Sequence, residues 1–219
     1  DFLGLGSLEV NPDGPGKIVI IGDQNTYLVT SNGPQNIEFK GILEAPNQAS
    51  VINPLTTLIS RLSENHQLNL DVAQSLIKSA FAGNGGSGSL SGSIPGEIDL
   101  LHTDLTSTSF TEIGAASAIV QIFTDAIAAQ NYSSDNPDIT WADVTGNAYD
   151  ALATAILNLD GGELLAPTDN WNNDVVNLRT IFTDQGLNLT PGTANVLLEL
   201  KRLLSEQATS SNPQGEDID

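Results

Sequence analysis

The sequence predicts an α+β fold: a small N-terminal antiparallel β meander followed by a bundle of about six α-helices. Three observations predict it. Turn residues cut residues 1–46 into short β-prone runs. After Ala45-Pro46-Asn47 the apolar period changes from about 2 to about 3.6 residues, and it stays helical almost to the C-terminal end.

The strand region comes first. Ser7 to Val10 is followed by the turn-rich Asn11-Pro12-Asp13-Gly14-Pro15-Gly16, and Lys17 to Ile21 is the second run. Gly22 to Asn25 breaks the chain before a third strand, Thr26 to Thr30. Ser31-Asn32-Gly33-Pro34 then separates it from the last, Asn36 to Leu43. Ile37, Phe39 and Gly41 alternate with Glu38 and Lys40, so that strand turns one face to a core and the other to water. Tight turns between successive strands read as a meander.

The helices carry their own start and stop signals. Asn53-Pro54 is a cap with Pro at the first helical position, and Leu55, Leu58, Ile59 and Leu62 follow at i, i+3, i+4 and i+7. Asn69 or Asp71 caps a second helix with the stripe Ala73, Leu76, Ile77, Ala80 and Phe81, which Gly83 ends. A third runs from Ser109 to Gln130 over Ile113, Ala116, Val120, Phe123 and Ile127, up to the break Ser133-Ser134-Asp135-Asn136-Pro137. Thr140 caps a fourth, with Val144, Ala148, Ala151, Leu152 and Ala155 inward and Gly161-Gly162 as its stop. Trp171, Val175, Leu178 and Phe182 mark a fifth, stopped by Gly186. Thr190-Pro191 repeats the cap-then-Pro start for a sixth, with Val196, Leu197, Leu200, Leu203 and Leu204. The chain thus divides into a β-strand region 1–46, a helical bundle 47–209 with a Gly/Ser-rich loop at 83–96, and an acidic polar tail 210–219.

Composition excludes several functions. With 27 acidic against 7 basic residues in 219, the net charge of -20 repels nucleic-acid phosphates and anionic lipid surfaces. No run approaches the roughly 18 consecutive apolar residues of a bilayer span, so no membrane insertion is expected. The absence of Cys removes thiol nucleophiles, disulfides and thiolate metal sites. The acidic, Thr/Ser/Asn/Gly-rich composition fits an exported protein of extracellular or cell-surface location. Asp1 in the first position, with no apolar leader, fits a mature form or a piece of a longer polypeptide.

No catalytic residues emerge. His66 lies in the polar link Glu64-Asn65-His66-Gln67, and His102 follows Asp99-Leu100-Leu101; both read as loop or boundary residues and not as general bases. The Gly-rich stretches lack the Lys and the preceding strand of a phosphate loop, and the Ser-rich stretch has no nucleophile elbow. Cofactors are therefore expected to be none, with calcium possible through the weak oxygen clusters around Asp135 and Asp138 and around Asp169 and Asp174. None matches the EF-hand loop, and an Asp or Asn ahead of a helix is more commonly a cap. Trp141 and Trp171 sit at helix starts and read as core residues ahead of sugar-stacking ones. Asn131-Tyr132-Ser133 and Asn188-Leu189-Thr190 are formal glycosylation acceptors.

One segment points to a partner. Phe2, Leu3, Leu5, Leu8 and Val10 form an apolar stretch ahead of the first turn. As the domain's own first strand it needs no further explanation. Donated to the sheet edge of a neighbouring copy, it makes a head-to-tail contact that does not close and builds a homopolymer.

Gly41-Ile42-Leu43-Glu44-Ala45-Pro46, followed by Val51-Ile52-Asn53-Pro54-Leu55-Thr56-Thr57-Leu58-Ile59, resembles a segment of large secreted bacterial surface proteins. There a short β module ends in an LxAP turn and runs into a V-I-x-P-L-T-T-L helix. Leu70-Asp71-Val72-Ala73-Gln74-Ser75-Leu76-Ile77 and Ile98-Asp99-Leu100 are similar to that family's second helix and its continuation. The likeness spans residues 38–130, with 83–96 as an insertion. It implies an extracellular, adhesin-like or structural setting and brings no catalytic residues. The expected function is thus a non-enzymatic exported structural or adhesive protein, a homo-oligomer or homopolymer assembled through its N-terminal segment. The alternative is a calcium-dependent cell-surface module that binds glycans or other cells.

Overall fold

A computed structural model describes residues 7–10, 16–22, 27–30, 33–81, 98–103, 111–133, 135–136, 138–158 and 179–195. The predicted loop 83–96, the tail 210–219 and the start of the fifth helix at Trp171 lie outside them. The fold is α+β. Five strands come first: β1 (Ser7–Val10), β2 (Lys17–Ile21), β3 (Tyr27–Thr30), β4 (Gly33–Glu38) and β5 (Ile42–Pro46). Four helices follow: α1 (Pro54–His66), α2 (Leu70–Phe81), α3 (Thr111–Asn131) and α4 (Trp141–Asn158). Residues 179–184 and 191–195 are also helical.

All strand pairs are antiparallel, as expected, but their order is not that of a simple meander. β2 is central in a three-stranded sheet of order β1-β2-β5, and β3 and β4 form a separate hairpin between its second and third strands. The predicted last strand, 36–43, is divided. β4 ends at Glu38, β5 starts at Ile42, and Phe39 to Gly41 lie between them. The alternation of Phe39, Lys40 and Gly41 reports burial correctly, since Phe39 and Gly41 are buried and Lys40 exposed. It does not report ladder pairing. Gly22 passes so close that a Cβ there would lie 2.2 Å from the Phe39 carbonyl oxygen, and its N–H donates to Gly41 O at 2.8 Å. That crossing is where the chain leaves one sheet for the other. Gly33 and Pro34, expected in the turn, belong to β4, because Thr30 pairs with Gly33.

The helix starts fall where local chemistry puts them. Asn53 Oδ1 accepts from the N–H groups of Leu55 and Thr56 at 2.9 and 3.0 Å, and Thr56 Oγ1 accepts from Asn53 N–H at 2.9 Å, which closes a capping box. Asn53→Ala is expected to cost about 1–2 kcal/mol in urea unfolding, at the upper end for a cap because this one is buried. Asn69, and not Asp71, caps α2, accepting from Val72 N–H at 2.8 Å. Thr140 and Asp143 cap α4 reciprocally, and the Thr140 hydroxyl and N–H hold the Asp143 carboxyl below the usual carboxylate range. Gly186, with φ of +73°, ends the helical stretch 179–184 in the left-handed conformation that favours glycine.

The core is shared by all the helices. Leu55, Leu58, Ile59 and Leu62 of α1 meet Ile77 of α2, Ile119 and Phe123 of α3, and Tyr149 and Leu152 of α4. Leu100 and Leu101 return to this core between α2 and α3, held by Gln74 Oε1, which accepts from Leu100 N–H at 2.9 Å. Phe182 packs edge-on against Phe123, with ring centroids 5.6 Å apart, and docks the segment 179–195. β5 lies on α1, and α1 lies on α4.

Candidate functional site

The densest polar chemistry among the described residues sits where β5, α1 and α4 meet. Helix α1 places Thr57, Arg61 and Asn65 at i, i+4 and i+8, one polar stripe beside the apolar one. Thr57 Oγ1 accepts from Glu44 N–H at 2.9 Å, and Thr56 Oγ1 donates toward Glu44 O at 3.0 Å. Two threonine hydroxyls thus occupy the outer edge of β5 where a further strand would pair. The Pro54-Leu55-Thr56-Thr57-Leu58 run has a local physical meaning: the proline starts the helix, the leucines enter the core and the threonines close a sheet edge.

A charged network grows from this joint. Glu44, only 2% exposed, accepts at Oε1 from Arg61 Nη2 at 2.7 Å and from Lys17 Nζ at 3.3 Å. Arg61 Nη1 reaches both carboxylate oxygens of Asp150 at 3.0 Å. Lys17 also meets Glu64 Oε2 at 2.8 Å, and Asn65 Nδ2 donates to Asp150 Oδ1 at 2.7 Å. Burial by itself would lower the Arg61 pKa, but the charges of Glu44 and Asp150 outweigh it and raise the value. Two of the chain's seven cations are therefore committed to joining β2, β5, α1 and α4. Gly146 on α4 lies beside Arg61, and a Cβ there would make only ordinary contact with Arg61 Nη2 at 3.4 Å.

Beside the network, an open cleft of about 410 Å³ lies between Ile21 and Ile42 of the sheet and the first turns of α4. Arg61 forms part of its wall, with Thr140, Asp143 and Asn147 around it. Thr140 and Asp143 are already paired as the helix cap.

The residues singled out from sequence are dispersed. Leu8 and Val10 lie in β1, paired with Ile20 and Ile18 of the chain's own β2; Phe2, Leu3 and Leu5 lie outside the described residues. His66 ends α1 with Nε2 at 3.5 Å from Thr154 Oγ1, a hydroxyl that donates to Asp150 O at 2.8 Å. His102 Nδ1 lies 2.8 Å from Asp99 Oδ2 on the surface. Asp135 and Asp138 are exposed turn residues, and among the described residues no three His, Asp or Glu side chains gather as a metal would need. Asp169 and Asp174 lie outside the described residues. Trp141 opens α4 and packs against Tyr132, with centroids 5.5 Å apart. The Asn131 amide is fully engaged, donating to Ile127 O and Asn188 O and accepting from Asn188 N–H at 2.7 Å. This first glycosylation acceptor is thus part of the tie between α3 and the segment at 188–193.

Sequence reading missed Glu44, Arg61 and Asp150. The i, i+4, i+8 stripe of Thr57, Arg61 and Asn65 was the available signal. Asp125 was missed as well, a largely buried carboxyl that desolvation pushes up and that accepts from Gln121 Nε2 at 2.9 Å.

Compared with family models, with curated proteins and with solved structures, the chain shows no match. Among the described residues, no helix is long and apolar enough to cross a membrane.

Proposed function

We propose that the chain is a non-enzymatic structural or adhesive module of an exported protein, located outside the cell or on its surface, which self-associates through its N-terminal segment. The observation that carries this reading is the contrast between the two edges of the three-stranded sheet. Thr56 and Thr57 occupy the β5 edge, whereas among the described residues no strand pairs with the outer side of β1. An unblocked edge strand is a template for another chain. The use of the polar network also supports the reading: its cations and carboxylates bind each other and join elements, leaving no activated nucleophile among the described residues. The resemblance of residues 38–130 to secreted surface proteins points the same way.

Because each copy carries a net charge of -20, association is expected to be weak at low salt and to strengthen as the screening length falls from ~10 Å at 0.1 M to ~3 Å at 1 M. Light scattering and negative-stain imaging across that range, with and without residues 1–10, check it. Assemblies that grow with salt and vanish on truncation support the proposal. A monodisperse monomer in both forms sinks it and turns attention to the alternative, a calcium-dependent binding module. For that module the exposed turn residues Asp135 and Asp138 are the first to test by calcium titration.

A further inference from the structure

The cleft between the sheet and α4 keeps apolar surface open to an occupant. Ile21 and Ile42, paired with each other across β2 and β5, are only half-buried there, and Ala142 and Gly146 line it from α4. Among its described lining residues, three of the four polar ones are already engaged: Arg61 with Glu44 and Asp150, and Thr140 with Asp143. A polar occupant would have to displace those bonds, whereas an apolar one covers the isoleucines at no such cost.

The ladder register places one apolar segment next to this cleft. Ser7 pairs with Ile21, and Ile21 with Ile42, so the start of β1, the end of β2 and the start of β5 form a row at the cleft end of the sheet. Phe2, Leu3 and Leu5 stand two to five residues ahead of Ser7, outside the described residues. Two strand spacings, about 10 Å, separate Ser7 from Ile42. Five extended residues span about 17 Å, so the segment reaches past the whole row. An apolar cavity of about 150 Å³ holds a benzene ring, and the cleft, at about 410 Å³, has room for the Phe2 ring and a leucine. We propose that the cleft seats the chain's own N-terminal segment, with Phe2, Leu3 and Leu5 entering between Ile21, Ile42 and the start of α4. Gly6 gives the chain the freedom to turn from β1 into the cleft. The tether favours the chain's own segment over a neighbour's. A neighbour brings a net charge of -20 against an equal charge, whereas a short tether holds the chain's own segment at an effective concentration in the millimolar range. The proposal goes beyond self-association: it names where the segment sits in a single chain, and a seated segment has to leave the cleft before it is donated.

The chain has no cysteine, so Asn147→Cys, at an exposed position lining the cleft, supplies a single thiol. Its rate of alkylation by iodoacetamide reports whether the cleft is filled. A seated segment populated about ten to one, which ~1.4 kcal/mol supplies, slows that reaction about tenfold. Deleting residues 1–6 is expected to restore the fast rate, and so is combining Phe2→Ser, Leu3→Ser and Leu5→Ser in the full chain, which keeps the chain length. The protection is expected to persist on dilution below the concentration at which light scattering detects assemblies. Equal rates in all three chains overturn the proposal. Protection that is lost on dilution also overturns it, by assigning the cleft to a neighbour's segment. Self-association itself is judged from the light scattering, so the two proposals fail separately.

Discussion

Replacing Arg61 by Leu is expected to lower the unfolding free energy by about 3–5 kcal/mol, because it strands Glu44 as a buried carboxylate whose remaining cation, Lys17, is the more distant partner. The cost comes from the charge left behind more than from the worth of the pair. The double replacement Glu44→Leu with Arg61→Leu therefore recovers much of the loss, since well-packed apolar side chains commonly substitute for a buried ion pair at little cost. Urea unfolding of the two variants and the parent is the check. A single variant within about 1 kcal/mol of the parent would mean that the network is solvated and does not hold the sheet to the helices. A double variant no more stable than the single would place the energy in the ion pair itself.

Phe123→Ala carries the second large effect, about 3–5 kcal/mol, from the lost transfer of a fully buried ring and the cavity left in its place. Its ring meets Phe182 edge to face, so the same substitution weakens the docking of the segment 179–195 on α3. Phe182→Ala and the double variant complete a cycle with an expected coupling of about 1 kcal/mol. Amide exchange at residues 187–194 should rise in both single variants, because Leu187, Leu189 and Ala194 are buried against the same core. Unchanged protection there would show that the polar tie from Gln130 and Asn131 to Asn188 and Thr190 holds the segment without the ring contact.

What could be read along the chain follows the range of the forces involved. Asn53, Thr140 and Thr190 act on N–H groups within three residues of themselves, so the helix starts stand in the sequence as written. Strand pairing is settled between residues distant in sequence. β2 takes β5 as its second neighbour, and nothing local to Thr26–Thr30 marks that run as part of a separate hairpin. Glu44 is the sharpest failure. It lies just beyond the predicted last strand, 36–43, yet it belongs to β5 and is buried, with Arg61 and Lys17 reaching it from other elements. Of the self-association residues, Leu8 and Val10 were rightly placed in a first strand, while its partner across the sheet was left open between two chains.

The sequence by itself determined the α+β class, the change from strands to helices after Pro46, the capped helix starts and the apolar stripes. Each of these depends on interactions within one turn or one strand. Only the tertiary structure decided that β1, β2 and β5 form one sheet, that Thr56 and Thr57 close one of its edges, and that Glu44, Arg61 and Asp150 meet in the interior. A charge is tolerated in that interior only when partners from β2, α1 and α4 arrive together, and no single stretch of sequence carries that convergence.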